Sequence, residues 1–349
     1  MAGEEYTREY LQYGGQAIPE GVMMRSPHFF SVACRAPNGE IIAHTEAIEK
    51  TWIGRQKWLK FPFLRGSLAI IDAMALGSRA MRFAMKIQLD EAYQPPSDIP
   101  AATPTPAMVD KAATSNRIQD AAVGSTLVIG MAIGVVIFVI LPNTIAEQFT
   151  RWGVGPMGKN IITEVIKILF FIGYVGGIGL MPDIRRVFCY HGAEHKSINT
   201  LEAGQDLELV NCGAQTRLHP RCGTSFAMIV LILSLLVFTF VPRYPIPGLP
   251  TYQNVAVRVC VELLILPFIA GIAYEALRLA GKFRNRKIVN FFFKPGLWSQ
   301  YLTTREPDES QIEVALVALK QVVASEKAGH EVEYVPTPVP GLAEQVHAG

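Results

Sequence analysis

The sequence predicts an α-helical polytopic membrane protein of about four spans with a small β-containing N-terminal module. Three observations lead there. The 349 residues are 50% hydrophobic and only 18% charged, with mean hydropathy +0.25, where a soluble domain carries about a quarter charged residues. Four apolar stretches approach the roughly 20 residues a helix needs to cross the hydrocarbon. The charge collects in polar flanks and loops. A net charge of +2 and the lack of a basic run interleaved with aromatics exclude nucleic acid as a partner. Membrane lipids are the expected partners, and a homo-oligomer is compatible with the chain. Five cysteines, Cys34, Cys189, Cys212, Cys222 and Cys260, make an odd count that argues against a disulfide framework.

Residues 1–60 read as a polar module. Met1 to Tyr13 has neither the basic start nor the apolar run of a signal peptide, so insertion is expected to rely on internal segments. Two β-leaning runs, 29–35 and 40–44, flank Pro37-Asn38-Gly39 and predict a hairpin. Residues 61–90 turn helical, but Asp72, Arg79, Arg82 and Lys86 predict an amphipathic or interfacial helix rather than a span. Residues 91–120 hold a Pro-rich linker.

The bundle is expected over 121–281. Residues 123–141 are uncharged and predicted to stop at Pro142-Asn143. Residues 161–181 carry only Glu164 and Lys167, three apart and able to pair on a helix. Residues 226–241 are uncharged, and 255–279 contain Glu262, Glu275 and Arg278. A charge such as Glu262 is costly in a membrane unless paired, with Lys167 a candidate partner. The loop between spans two and three holds Arg185, Arg186, Lys196, Arg217 and Arg221, the next only Arg243, and the segment after span four is basic again. This alternation places the N-terminus, the loop at 182–225 and the C-terminus on the cytoplasmic side of the membrane. In 282–328, Phe291-Phe292-Phe293-Lys294-Pro295-Gly296-Leu297-Trp298 reads as an interfacial anchor. Asp308-Glu309 then opens an amphipathic helix with Ile312, Leu316, Leu319 and Val323 on one face. Residues 329–349 are expected to be a disordered tail.

The loop at 182–225 carries the chemistry. Its run Cys189-Tyr190-His191-Gly192-Ala193-Glu194-His195-Lys196 is followed by Cys212, His219 and Cys222. His191 and His195 are four apart, so on a helix both imidazoles leave one face and can share an ion. The order His-x-x-Glu-His matches the inverted zinc-peptidase motif, in which the histidines bind zinc and the Glu, here Glu194, acts as base. Glu202 lies seven residues beyond His195, about 10 Å along a regular helix, too far for the same ion. A third ligand is expected from Glu208, Cys212, His219, Cys222, Glu262 or Glu275. A catalytic zinc takes three protein ligands and a structural one takes four, so His191, His195, Cys212 and Cys222 would form a closed set. The bland alternative is ordinary loop histidines beside basic headgroup contacts. Lys196 or Arg221 could hold an anionic substrate. A second motif, Tyr13 to Arg25, is glycine-rich but is neither a P-loop nor a dinucleotide fingerprint. Its Glu20 and Arg25 either reach the histidine loop or form structural pairs.

Four stretches together resemble the YqhQ-like family of uncharacterised bacterial membrane proteins. They are Gly14 to Arg25, His191-Gly192-Ala193-Glu194-His195-Lys196, Arg221-Cys222-Gly223-Thr224-Ser225-Phe226, and Pro295-Gly296-Leu297-Trp298 with Thr303-Thr304-Arg305-Glu306-Pro307-Asp308. The resemblance covers about 13–320. The family usually has an apolar residue such as Ile where Pro19 stands. The resemblance implies a polytopic membrane protein, described as a predicted metal-dependent enzyme, with no substrate attached. The expectation is a divalent metal, zinc by donor type, and hydrolysis as the reaction. The rival is a non-catalytic scaffold, assembly or transport factor.

Overall fold

The computed structural model describes residues 13–48, 64–94, 125, 128–282 and 287–332. Most of the Pro-rich linker and nearly all of the expected C-terminal tail lie outside them. Four strands come first: β1 (Gly14–Ile18), β2 (Gly21–Arg25), β3 (Phe29–Arg35) and β4 (Ile41–Ala47). They form one antiparallel sheet in the order β1-β2-β3-β4. The hairpin expected around Pro37-Asn38-Gly39 is β3–β4, with Gly39 at φ 91°. The glycine-rich motif forms a second hairpin, β1–β2, with Ile18 opposite Gly21. Its two-residue turn is Pro19-Glu20, and Glu20 is left-handed at φ 56°. Proline suits the first turn position, and the left-handed second position, normally glycine's, is taken here by Glu20.

Helices follow: α1 (Leu64–Leu89), α2 (Val128–Trp152), α3 (Pro156–Ile178), α4 (Pro182–Glu202), α5 (Leu209–Ala214), α6 (Gly223–Phe240), α7 (Thr251–Lys282), α8 (Lys287–Thr303) and α9 (Glu309–Ala328). Among the described residues four helices are long and apolar enough to cross a membrane: α2, α3, α6 and Thr251–Leu279 of α7. Contrary to expectation, α2 does not stop at Pro142-Asn143. A π-turn at Val136–Ile140 precedes the proline, and such a turn absorbs the hydrogen bond that proline cannot donate.

The sheet alternates its residues between two cores, as the strand period of two requires. Val22, Met24, Phe29 and Ala33 face α4 and α9, while Met23, Phe30, Val32 and Cys34 face Leu76, Ala80, Ala84 and Ile87 of α1. The expected stripe on α9 is buried, but so are Val314, Ala315, Val317, Ala318 and Val322. The helix is therefore apolar nearly all round and central, rather than a surface helix with one wet face. It starts with a capping box in which Asp308 accepts from the Gln311 N–H and Gln311 accepts from the Asp308 N–H.

At the end of the bundle away from the sheet, the spans bury a charged network. Lys167 Nζ lies 2.7 Å from both Glu164 and Glu262, and Arg258 Nε lies 2.9 Å from Glu262. Asn143 joins Glu262 to Arg243, whose Nε reaches Glu147 at 2.8 Å. Charges in a bilayer persist only when paired in this way.

Candidate metal centre

Helix α4 starts at Pro182, just past the end of span α3, and carries His191 and His195 one turn apart. Their ring centroids are 4.4 Å apart. Nδ1 of His191 is 2.9 Å from the Thr303 carbonyl oxygen, and Nδ1 of His195 is 2.6 Å from the Arg217 carbonyl oxygen. A carbonyl only accepts, so each Nδ1 donates its proton and each Nε2 of a neutral ring keeps its lone pair. Nε2 of His191 is 3.1 Å from Sγ of Cys222. One donor atom from each of His191, His195 and Cys222 lies within 4.8 Å of the others. Cys222 is the N-cap of span α6 and accepts the Thr224 N–H.

Close backbone approach makes this geometry possible. A side chain at Gly192 would run into the Arg305 carbonyl and Pro307. The missing Cβ lets the segment after α8 lie against α4, where Arg305 N–H donates to Phe188 O at 2.9 Å and Thr303 meets His191. Gly296 plays the same part where α8 crosses Ser225 of α6.

Glu194 is buried against β1, where it accepts the Gly15 N–H. Burial pushes its carboxyl up to about 7, while His191 and the Gly15 N–H pull the other way. It stands outside the His-His-Cys trio. His219 packs its ring 5.6 Å from that of His195, but its Nε2 faces Glu202 Oε1 at 3.2 Å. Burial lowers its pKa to about 4 against the opposing pull of Glu202, so the ring is neutral. Cys212 lies in the core beneath α9, where its sulfur takes the Thr200 hydroxyl at 3.2 Å.

The expected substrate groups are each engaged with protein. Lys196 Nζ sits 2.5 Å from Glu306 and 2.8 Å from the Gly213 carbonyl. Arg221 pairs with Glu202, and Arg25 with Asp72. Glu20 receives Arg186 through two nitrogens and the Tyr190 hydroxyl. Gln300, unremarked in the sequence, ties the site together: it accepts the His219 N–H at 2.8 Å and donates to the His219 carbonyl at 2.6 Å and Ser225 Oγ at 2.7 Å.

A family model described as "Protein of unknown function (DUF1385)" matches residues 61–325. The chain is 31% identical over 318 residues to the "Uncharacterized protein YqhQ" of Bacillus subtilis (strain 168), covering 90% of this chain and 93% of that protein. No solved structure matches.

Proposed function

The chain belongs to the DUF1385 family of unknown function, and from its own residues we propose a metal-dependent hydrolase of the bacterial inner membrane. The carrying observation is the trio of His191, His195 and Cys222, with both Nδ1 atoms committed to main-chain carbonyls. Carbonyl partners of this kind orient metal-binding histidines. Two imidazoles and one sulfur suit zinc, and three protein ligands are the number found in catalytic zinc sites. A divalent metal held there would supply Lewis acidity for hydrolysis.

Glu194 is the candidate base. Its carboxyl, raised to about 7, is balanced to take up or give back a proton near neutrality. The Gly15 N–H fixes its orientation. Lys196 and Arg221 are the groups that an anionic substrate would draw from Glu306 and Glu202. The basic loops between spans two and three and after span four support a cytoplasmic site with both termini on that side.

A structural metal is the second reading. It is favoured because the trio and the Thr303 carbonyl join α4, α6 and α8. Metal content of detergent-purified protein, measured beside His191→Ala/His195→Ala, tests both readings. About one metal per chain, lost in the double variant, is expected. No metal after gentle purification or reconstitution would end both. Glu194→Gln then separates them: hydrolysis requires metal retained and turnover of a screened ester, amide or phosphoester lost, whereas a structural site requires neither to change.

A further inference from the structure

The outer face of α1 is unexplained by the metal centre. Ile71, Met74, Met81, Met85 and Leu89 are 40–68% exposed, although the opposite face of the same helix is buried on the sheet. We propose that this face lies in the headgroup and upper acyl region of the membrane, on the same side as the metal centre, making α1 a monotopic anchor.

Three placements identify the occupant as lipid. First, α1 is tied at its start to a membrane-spanning helix and at its end to the helix that directly follows a span. At its start, Gly66 packs so closely on Gly271 and Tyr274 of span α7 that a side chain there would clash. At its end, Gln88 Nε2 donates to the Arg35 carbonyl, Arg35 N–H donates to the Glu20 carbonyl, and Glu20 holds Arg186. Arg186 lies in the first turns of α4, directly after span α3. A helix pinned this way runs along the boundary and not away from it.

Second, β1 is the edge strand nearest the bundle, because its Gly15 contacts Glu194 beside the trio at the mouth of α6. On α1, Gly77 faces Gln16 of β1, and Gln16 Nε2 donates to the Ala73 carbonyl at 3.1 Å. Phe83 and Arg79 face His44 and Glu46 of β4.

Third, the helical step sorts the exposed residues by those two directions. At about 100° per residue, Met74, Met81 and Met85 fall roughly 40–80° beyond Gly77, on the β1 side. Arg79, Lys86 and Arg82 fall roughly 40–100° beyond Phe83, on the β4 side. The apolar arc thus points toward the membrane edge of the sheet, and the basic arc points away, within reach of anionic headgroups by extending its long side chains.

The test uses the whole wild-type protein in nanodiscs of phosphatidylglycerol and phosphatidylethanolamine. A lipid-soluble photoreactive carbene reagent labels residues in contact with acyl chains, and mass spectrometry maps them. Met131 of span α2 is the positive control and buried Met24 the negative one. Met74, Met81 and Met85 are expected to label within about threefold of Met131 and about tenfold above Met24. In Arg82→Glu/Lys86→Glu, labelling should drop severalfold while Met131 is unchanged. Labelling of the three methionines at the level of Met24 overturns the proposal, whether water or a second copy of the chain covers the face. A dimer seen in the same nanodiscs would identify the second copy.

Discussion

Gly192 is the residue on which the candidate centre turns. It sits between the two histidines and against the Arg305 carbonyl, so any side chain must push the strap after α8 outward. That strap follows directly on Thr303, whose carbonyl holds His191. Gly192→Ala is therefore expected to cost about 1–3 kcal/mol, the usual penalty of overpacking, and to lower metal content at the same time. Thermal unfolding and metal analysis of the purified variant check this; wild-type values for both would show that the strap is not held by close approach. Much of this region was legible in the sequence, because helical spacing alone brings His191 and His195 to one face. Cys222 was among the third-ligand candidates, but the choice between it, His219 and Cys212 was not legible. A thiol serves equally as core filler and as ligand, and only the packing of Cys212 against Thr200 separates the two. Nor could the carbonyls of Thr303 and Arg217 be found, since a main-chain acceptor leaves no mark in residue identity.

Among elements, α9 shows how the two ends of the chain are joined. It docks on β2 and β3, and at its last turns Glu326 accepts from Ser26 Oγ at 2.7 Å and faces His28 Nδ1 at 2.7 Å. Burial alone would raise the Glu326 carboxyl, but Ser26 and His28 outweigh it and hold the pKa below its usual value. A carboxyl depressed on folding contributes stability above its unfolded pKa of about 4.5 and loses it as pH falls through the folded value. Thermal stability should consequently decline below about pH 4.5, and less steeply in Glu326→Gln. Identical slopes for the two proteins would dismiss Glu326 as a contributor. The spans, the β3–β4 hairpin and α9 were readable, because long apolar runs, a Pro-Asn-Gly turn and an Asp308 cap each have a local cause. The β1–β2 hairpin was not, since its glycines resemble a binding loop until β3 supplies the register. The burial of α9 on nearly every side was also hidden, because alanines at 315 and 318 disclose little about which side is wet.

For the molecule as a whole, two polar clusters fasten the bundle at opposite ends. At the sheet end the His-His-Cys trio joins α4 and α6, with α8 linked through the Thr303 carbonyl. At the other end Asn143, Glu164, Lys167, Arg258 and Glu262 join α2, α3 and α7. The second cluster belongs to the scaffold if its charges matter only as partners. Lys167 lies between two carboxylates, so Lys167→Met leaves Glu164 buried without its cation and should cost about 3–5 kcal/mol, as stranding one member of a buried pair does. Replacing Glu164 as well, in Lys167→Met/Glu164→Leu, removes the stranded charge and is expected to restore much of the loss, because a buried pair exchanged for apolar residues of similar size is close to neutral. Metal content per folded chain should stay at the wild-type level in both variants. Thermal unfolding in detergent reads the first expectation and metal analysis the second. A double variant no more stable than the single one, or one that loses metal while folded, would mean that the charges of α3 do more than hold the spans together.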